Sequence, residues 1–195
     1  MPVFASSLGL VLFDFSFFVW IASEIFGAAL VPRLRRRGAV RVKRDRGSRA
    51  LITVAILFSM LIAFYFGYAG VGALPDWIFY AGIFLMFLGV LVRQYAIAIL
   101  GRFFSLSVQI AEDHQVVDKG PYRLVRHPSY TGILITFTGL GLAVQSLGAV
   151  LVLLLFFGIS FGYRMSVEER TLLSGLGSDY ASYMKRTKRL IPFII

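Results

Sequence analysis

Long apolar segments separated by short polar ones set the pattern of this chain. Residues 8–31, 50–74 and 77–100 are apolar runs, and each is long enough to cross a hydrocarbon core of about 30 Å as an α-helix. Only Pro75 and Asp76 separate the second run from the third. Proline and aspartate are typical of tight turns, so this junction predicts an antiparallel helical hairpin.

A fourth apolar run begins at residue 129 and is too long for a single span. The polar and small residues from Gln145 to Gly148 interrupt it, and a break there divides the run into two short helices. We therefore predict a second helical hairpin over residues 129–165, followed by an amphipathic, basic tail from Val167 to Arg189. The whole pattern predicts about five transmembrane helices.

The composition is typical of a protein that lies in a membrane. Hydrophobic residues make up 58% of the 195 residues, charged residues make up 15%, and the mean hydropathy is +0.79. Soluble domains are about 45–50% apolar and about 25% charged, so we predict an all-α integral membrane bundle. The chain has no cysteine, which excludes disulfides, thiolate metal sites and a cysteine nucleophile, and we expect no metal site.

The formal net charge of +10 comes from basic residues beside the apolar runs. Nine of the 20 lysines and arginines lie between Arg33 and Arg49, and most of the others follow Leu100. The positive-inside rule assigns such loops to the cytoplasm, so we predict an outside N-terminus and a cytoplasmic C-terminus. The basic loop also predicts attraction to anionic membrane lipids. Nucleic acid is not an expected partner, because no aromatic residues interleave with a basic face.

These patterns divide the chain into two parts. Residues 1–100 form a three-span membrane part whose cytoplasmic loop, residues 33–49, is basic. Residues 101–195 contain a polar cytoplasmic segment, the second hairpin and the amphipathic tail. The length leaves no room for a separate soluble domain, so a catalytic site has to be built within the second part and at the membrane surface.

Ionisable residues inside the apolar runs are costly in lipid and therefore need partners. For Asp14 and Glu24 in the first run, polar contacts with neighbouring helices are the favoured role. Arg93 lies about two turns before the end of the third run. Its long side chain either reaches the interface or lines a polar cavity, and the sequence leaves both open.

A dense polar block runs from Gly120 to Gly132, between apolar segments. Pro128 falls where a new apolar helix begins, and proline is well tolerated in the first turn of a helix. Arg126 and His127 are thus predicted at a helix N-terminus, where unpaired N–H groups and a partial positive charge favour an anion. This block is either one wall of a cofactor site or an ordinary basic turn at the membrane edge.

A second polar cluster follows the predicted hairpin and consists of Arg164, Glu168 and Glu169. A hairpin returns its end beside its beginning, so this cluster is expected to meet the block around His127 at the cytoplasmic face. Arg164 and Glu168 are four residues apart and share a helix face, so a simple ion pair is the alternative interpretation. The meeting of the two clusters favours a site.

These motifs together resemble the isoprenylcysteine carboxyl methyltransferases and, more loosely, the related membrane phospholipid methyltransferases. The resemblance covers roughly residues 97–195, and the N-terminal half matches only in being apolar. It rests on His114-Gln-Val-Val117, Gly120-Pro-Tyr122, Arg126-His-Pro-Ser-Tyr130, Arg164 with Glu168-Glu169, and the tail Gly177-Ser-Asp-Tyr180-Ala-Ser-Tyr183 with Arg189-Leu-Ile-Pro-Phe193.

The resemblance implies S-adenosylmethionine as methyl donor, with S-adenosylhomocysteine as product, held without a Rossmann domain. The chain has no Gly-x-Gly-x-x-Gly motif after a strand, in agreement with this. The resemblance places the substrate-side arginine at Arg164, which with Glu168 is the expected catalytic pair. It places the cofactor contacts at Gln109, His114, Val116, Val117, Tyr122, His127, Pro128, Ser129, Tyr130 and Glu168.

The chemistry of the acceptor separates two enzyme hypotheses. A carboxylate is deprotonated at neutral pH and needs only an arginine to position it, as Arg164 would do in O-methylation of an isoprenylcysteine-like lipidic acid. An amine must lose a proton, so N-methylation of a phospholipid would need a base such as Glu168 or Glu169. Either substrate is expected to enter laterally from the bilayer. A non-catalytic membrane scaffold or transport subunit is the third hypothesis.

Overall fold

A computed structural model describes residues 3–27, 40–43, 45–105, 107–111 and 113–192. Six α-helices and two short strands follow one another within these ranges. Single 3₁₀ turns lie at Val3–Ala5, Gly101–Phe103 and Gly120–Arg123. The elements are α1 (Ser7–Ile25), β1 (Val40–Lys43), α2 (Ser48–Ala69), α3 (Trp77–Leu100), β2 (Gln109–Ala111), α4 (Pro128–Ala143), α5 (Leu147–Leu176) and α6 (Ser178–Arg186).

The helices confirm a membrane bundle with about five spans. In the described ranges, α1, α2, α3 and α5 are long and apolar enough to cross a membrane, while α4 is apolar but has only 16 residues. The bounds of α3 match the predicted span at 77–100. α2 ends at Ala69, before the predicted 74, because Gly70 takes a left-handed conformation (φ +67°) and caps the helix. Residues 28–39, which hold the end of the first predicted span and the first part of the basic loop, lie outside the description.

The second hairpin breaks where the sequence predicts, but its second helix is longer. Gln145 has a positive φ of 53°, and the Ser146 side chain accepts a hydrogen bond from the N–H of Ala149 to start α5. α5 then continues to Leu176, beyond the predicted end at residue 165. It does so because no proline occurs between Pro128 and Pro192, and the helix ends only at Gly177, whose φ is +58°. The predicted tail is thus the last part of α5 together with α6.

Close contact between α3 and α4 holds the centre of the bundle together. A Cβ added to Gly89 would lie 2.2 Å from the Thr136 hydroxyl and 2.6 Å from the Gly132 carbonyl oxygen. A Cβ on Gly82 would lie 2.3 Å from the backbone nitrogen of Ala143. Small residues at such positions let two membrane helices approach until their backbones touch, which maximises van der Waals packing. This contact fixes the start of α4 against the end of α3.

The turns at one end of the bundle bind each other. The carbonyl oxygen of Gln145 accepts from the N–H of Leu74, and the Ser146 hydroxyl donates to the carbonyl of Val71. The side-chain oxygen of Gln145 accepts from the N–H of Val3, so the start of the described chain lies at this end as well. The α2–α3 and α4–α5 turns therefore lie at the same end, as two antiparallel hairpins require.

A small two-stranded ribbon lies beside the helices of the bundle. β1 and β2 pair in antiparallel register, with Val40 opposite Ala111 and Lys43 opposite Gln109. Short runs of three or four residues fall below what hydrophobic periodicity detects, so the sequence did not indicate this pairing. The ribbon brings the chain just before α2 against the polar segment that precedes α4.

Candidate functional site

A cleft opens at the end of the bundle where α4 begins. Its free space is about 830 Å³, a figure that includes the solvent in its open mouth. The end of α3, the polar segment 103–117, the start of α4, α5 and α6 contribute its walls. Eight of the residues selected from the sequence line it: His114, Val116, Val117, Tyr122, His127, Ser129, Tyr130 and Glu168.

The two polar clusters meet in one wall of this cleft. His127 occupies the N-cap position of α4, as Pro128 in the first turn predicts. Its Nδ1 lies 4.0 Å from Oε2 of Glu168, which is on α5. The Tyr130 hydroxyl donates to the same carboxylate oxygen at 2.9 Å, and the Tyr130 ring stacks on His127 with centroids 5.4 Å apart. The predicted juxtaposition of the His127 turn with Glu168 is present.

Arg164 lies behind this wall, on the side of Tyr130 that faces α2. It is buried, and its Nε donates to the Tyr130 hydroxyl at 3.3 Å. Its Nη1 donates to Oδ1 of Asp45 at 2.6 Å and to the Ser48 hydroxyl at 2.8 Å. Arg164 is not among the residues that line the cleft. Asp45 supplies a short ion pair to Arg164, and the charge of Glu168, four residues away on the same helix, acts on it as well.

Glu169 is the buried centre of a second charge network. Its Oε1 accepts from Nε of Arg126 at 2.9 Å and lies 3.2 Å from Nε2 of His127. Arg189 binds both carboxylate oxygens. Three cationic or polar partners around a carboxylate that is 6% exposed make a closed cluster, so Glu169 is fully engaged in holding the wall together. Sequence patterns placed Glu169 beside the site but did not reveal these partners.

The C-terminal tail docks against the cleft and completes it. The backbone of Arg126 donates to the carbonyl of Lys188 at 2.8 Å, and the Arg126 guanidinium donates to the carbonyl of Met184 at 3.1 Å. Tyr183 donates to the carbonyl of Tyr122 at 2.7 Å. Tyr180 and Tyr183 line the cleft, and neither was among the predicted site residues. Their spacing of three residues on a helix was the available signal, since such residues share a face.

The opposite wall is aromatic and apolar. The ring of His114 stacks on Phe103 with centroids 4.6 Å apart. Burial lowers the pKa of His114 below its usual 6.5, although the charges of Asp113 and Glu168 oppose the effect. Burial, with a further contribution from the charge of Glu168, raises the pKa of Tyr122, so its phenol stays protonated. A flat, neutral surface of this kind suits an aromatic ring system.

The remaining predicted residues have positions of other kinds. Pro128 is buried in the first turn of α4 and shapes the wall from behind, while Ser129 next to it lines the cleft. Gln109 begins β2, and the description covers its backbone but not its side chain. Among the described residues, no group of three or more histidines, aspartates or glutamates is arranged to hold a metal ion.

Arg93 supports the start of α4 through a buried ion pair. Its Nη2 donates to Oε2 of Glu24 on α1 at 2.6 Å, and its Nη1 donates to the carbonyl of Ser129 at 3.3 Å. The contact of Glu24 with a neighbouring helix is the structural role expected for it. Of the two roles left open for Arg93, neither describes it, because its guanidinium is buried against Glu24 and not at the interface or in the cleft.

Comparison with known proteins shows which family the chain is similar to. Residues 82–174, which include α4 and most of α5, match the family model of the isoprenylcysteine carboxyl methyltransferases. The match covers just under half of the chain, which is similar to this family over that part. A probable protein-S-isoprenylcysteine O-methyltransferase of Oryza sativa subsp. indica is 28% identical over 145 residues, which cover 73% of this chain and 70% of the relative. Protein-S-isoprenylcysteine O-methyltransferase B of Arabidopsis thaliana is 31% identical over 120 residues, or 60% of this chain and 61% of the relative.

A solved structure has the same architecture. The eukaryotic intramembrane Ras methyltransferase, an isoprenylcysteine carboxyl methyltransferase, matches with a TM-score of 0.58 and 29% sequence identity. The match covers 73% of this chain and 52% of that chain, so the present chain spans about half the length of the solved relative. The chain thus resembles the isoprenylcysteine carboxyl methyltransferases in sequence and in fold, and its described part contains several helices long and apolar enough to cross a membrane.

Proposed function

We propose that this chain is a membrane methyltransferase that transfers a methyl group from S-adenosylmethionine to the carboxylate of an isoprenylcysteine-like lipidic acid. The observation that carries the proposal is the hydrogen-bonded series Glu168–Tyr130–Arg164. It joins a carboxylate that faces the cleft, 29% exposed, to a buried arginine on the far side of the same wall. The methyl donor is cationic and the acceptor is anionic, and they must be bound side by side. A carboxylate for the donor and a guanidinium for the acceptor, a short distance apart, meet this requirement.

The residues of the cleft fit the donor. S-adenosylmethionine supplies a methyl group activated by a sulfonium, and it carries an adenine ring and an amino acid head. The Glu168 carboxylate suits the ammonium of that head, and the start of α4 at His127–Tyr130 suits its carboxylate. Val116, Val117 and Tyr122 offer apolar surface to the adenine, beside the stacked rings of Phe103 and His114. Gln109 and Pro128 complete the proposed cofactor set.

Arg164 is the residue that we propose binds the carboxylate of the methyl acceptor. A guanidinium stays charged and holds a carboxylate in a defined orientation, which is the main requirement when the acceptor needs no base. Its burial excludes water from the ion pair and thereby strengthens it. Glu168 accepts a hydrogen bond from Tyr130, so its proposed role is to bind the donor and to align the wall between the two substrates.

We further propose that the cleft faces the cytoplasm and that the N-terminus lies outside. Val3 shares an end of the bundle with the turns at Gly72–Leu74 and Gln145–Leu147, and these turns contain no lysine or arginine. Basic residues concentrate at the cleft end, as in Lys185–Arg189. The positive-inside rule supports this orientation, and the acceptor would then reach Arg164 laterally from the inner leaflet. In this scheme residues 101–195 carry the catalytic groups and residues 1–100 support them.

A methyl-transfer assay with two acceptors tests the proposal. Purified protein in lipid nanodiscs receives methyl-labelled S-adenosylmethionine with a farnesylated cysteine analogue or with phosphatidylethanolamine. We expect label in a base-labile ester of the cysteine analogue and none in the phospholipid. Labelled phospholipid would contradict the assignment of the acceptor, and no label in either would contradict the methyl-transfer function itself. Arg164→Ala is expected to lose most turnover while it retains binding of S-adenosylhomocysteine.

A further inference from the structure

Asp45 forms a short ion pair with Arg164. It precedes α2 in the first half of the chain, 119 residues away in sequence from Arg164. Oδ1 of Asp45 lies 2.6 Å from Nη1 of Arg164, and the Ser48 hydroxyl accepts from the same nitrogen at 2.8 Å. Both α2 and the matched part of α5 therefore determine the position of one guanidinium. Asp45 lies outside residues 82–174, where the family match falls.

The carboxylate of Asp45 is itself fixed by three donors. It accepts from the N–H of Arg49 in the first turn of α2 at 3.2 Å and from the Ser48 hydroxyl at 3.3 Å. It also accepts from the N–H of Val108 at 3.5 Å, just before β2. Burial opposes ionisation, but the N–H groups of Arg49 and Val108, together with Arg164, lower the pKa of Asp45. A carboxylate anchored on two backbone segments and kept ionised is a rigid partner for the arginine.

The rigid pair has a consequence for the wall of the cleft. Arg164 contacts Asp45 through Nη1 and Tyr130 through Nε, and these two atoms lie at different positions on one planar group. Two fixed contacts on a planar guanidinium set the orientation of its plane. Tyr130 provides one of these contacts and Asp45 the other, so Asp45 sets the orientation of the guanidinium relative to the wall.

We propose that Asp45 is a positioning residue for the methyl acceptor, acting through Arg164. Asp45 holds the guanidinium plane in the orientation that receives the acceptor carboxylate, and Ser48 assists it. This inference rests on the proposed function, since it assumes that Arg164 binds the methyl acceptor. It assigns a role in acceptor binding to the segment before α2, and it predicts no role for that segment in the affinity for the donor.

The test variant is Asp45→Asn. Asparagine keeps an oxygen that accepts from the N–H of Arg49, so the start of α2 is preserved while the negative charge beside Arg164 is lost. We expect kcat/KM for a farnesylated cysteine analogue to fall at least about tenfold, as for the loss of a charge-assisted hydrogen bond. The Kd for S-adenosylhomocysteine, measured by calorimetry, is expected to stay within about twofold of wild type.

Asp76→Asn is the matched control. Asp76 also precedes a helix, but it lies at the other end of the bundle and accepts from the Gln145 side chain at 3.0 Å. Its kcat/KM and its Kd for S-adenosylhomocysteine are expected to equal those of wild type. If kcat/KM falls as much in Asp76→Asn as in Asp45→Asn, both losses come from general destabilisation, and the inference is overturned.

A double-mutant cycle separates positioning from a merely structural role. If Asp45 acts through Arg164, then Asp45→Asn has no further effect on turnover in an Arg164→Ala background. Full additivity of the two losses, or wild-type kinetics in Asp45→Asn, would overturn the inference while leaving the proposed function intact. A wild-type protein that methylates no acceptor would instead contradict the proposed function. If Asp45→Asn does not fold, Ser48→Ala replaces it in the same cycle, with the same expected direction and the same contradicting result.

Discussion

The Tyr130 hydroxyl donates a hydrogen bond of 2.9 Å to Oε2 of Glu168, although 38 residues separate the two in sequence. Tyr130 belongs to the first turn of α4, and Glu168 belongs to α5, which returns beside it. The same hydroxyl accepts from Nε of Arg164 at 3.3 Å. One phenol thus connects the group proposed to bind the methyl donor with the group proposed to bind the acceptor, and this connection generates the first prediction.

Replacement of Tyr130 by phenylalanine is expected to lower the rate of methyl transfer. Hydrogen bonds to charged groups contribute about 1.5–3 kcal/mol, so kcat should fall roughly 10- to 100-fold while the ring still fills its place. Steady-state kinetics in nanodiscs measure this change. Tyr80→Phe is the control, because Tyr80 is 54% exposed near the other end of the bundle. Equal kinetics of the two variants would show that the hydroxyl of Tyr130 has no part in turnover.

The same substitution is expected to lower the stability of the protein at Glu169 and its affinity for the cofactor at Glu168. Glu169→Gln removes the charge that Arg126, His127 and Arg189 share in a buried cluster, so the free energy of unfolding should fall by about 3–5 kcal/mol. Glu168→Gln removes a more exposed charge and should cost about 1 kcal/mol or less.

Unfolding titrations in mixed micelles measure the stability of both variants, and calorimetry measures their binding of S-adenosylhomocysteine. We expect Glu168→Gln to lose affinity while it remains folded, and Glu169→Gln to lose stability first. A more stable Glu169→Gln than Glu168→Gln would contradict the division into a ligand-facing and a structural carboxylate.

Replacement of Gly89 by alanine is expected to separate α3 from α4. The added Cβ would meet the Gly132 carbonyl oxygen at 2.6 Å, and backbone on both sides leaves little room to adjust. Overpacking of this kind costs about 1–3 kcal/mol in the free energy of unfolding. Gly158→Ala is the matched control, since an added Cβ there has no neighbouring atom within 4 Å. A Gly89→Ala protein as stable as Gly158→Ala would contradict the close packing of α3 and α4.

The stability of the fold is expected to depend on pH through His114. Burial lowers the pKa of His114 below 6.5, so the unfolded chain takes up a proton at a higher pH than the folded chain does. The contribution of neutral His114 is therefore fully present above about pH 6.5 and is lost as the pH falls through the lowered value.

Unfolding titrations of wild type and His114→Gln between about pH 7.5 and 5 check this expectation, since glutamine does not titrate. The difference in unfolding free energy between the two proteins should be constant above about pH 6.5. At lower pH, wild type should lose stability relative to His114→Gln. A constant difference over the whole range would mean that His114 is not buried in its neutral form.

The sequence predicted features that depend on local chemistry. Pro128 indicated the start of α4, and Gln145-Ser146 indicated the break between α4 and α5. The meeting of the His127 turn with Glu168 followed from the geometry of a hairpin, which requires no knowledge of side-chain packing.

Other features depend on pairing between distant segments, and no local pattern contains them. The Asp45–Arg164 pair needs the ribbon of β1 and β2 to bring the chain before α2 to α5. The contacts of Arg126 and Arg189 with Glu169 need the tail to turn back at Gly177 and lie beside residues 124–127. Charge alone could not select these partners, because the chain has 20 lysines and arginines for 10 aspartates and glutamates.

The central claim is that the cleft between the His127 turn and Glu168 holds the nucleoside cofactor. Calorimetric titration of the purified protein with S-adenosylhomocysteine tests it most directly, with wild type beside the double variant His127→Ala/Glu168→Ala and the control Tyr80→Phe. We predict saturable binding with one site per chain in wild type and in Tyr80→Phe, and a loss of affinity of at least about tenfold in the double variant. No binding by wild type, or equal affinity in a folded double variant, would contradict the account.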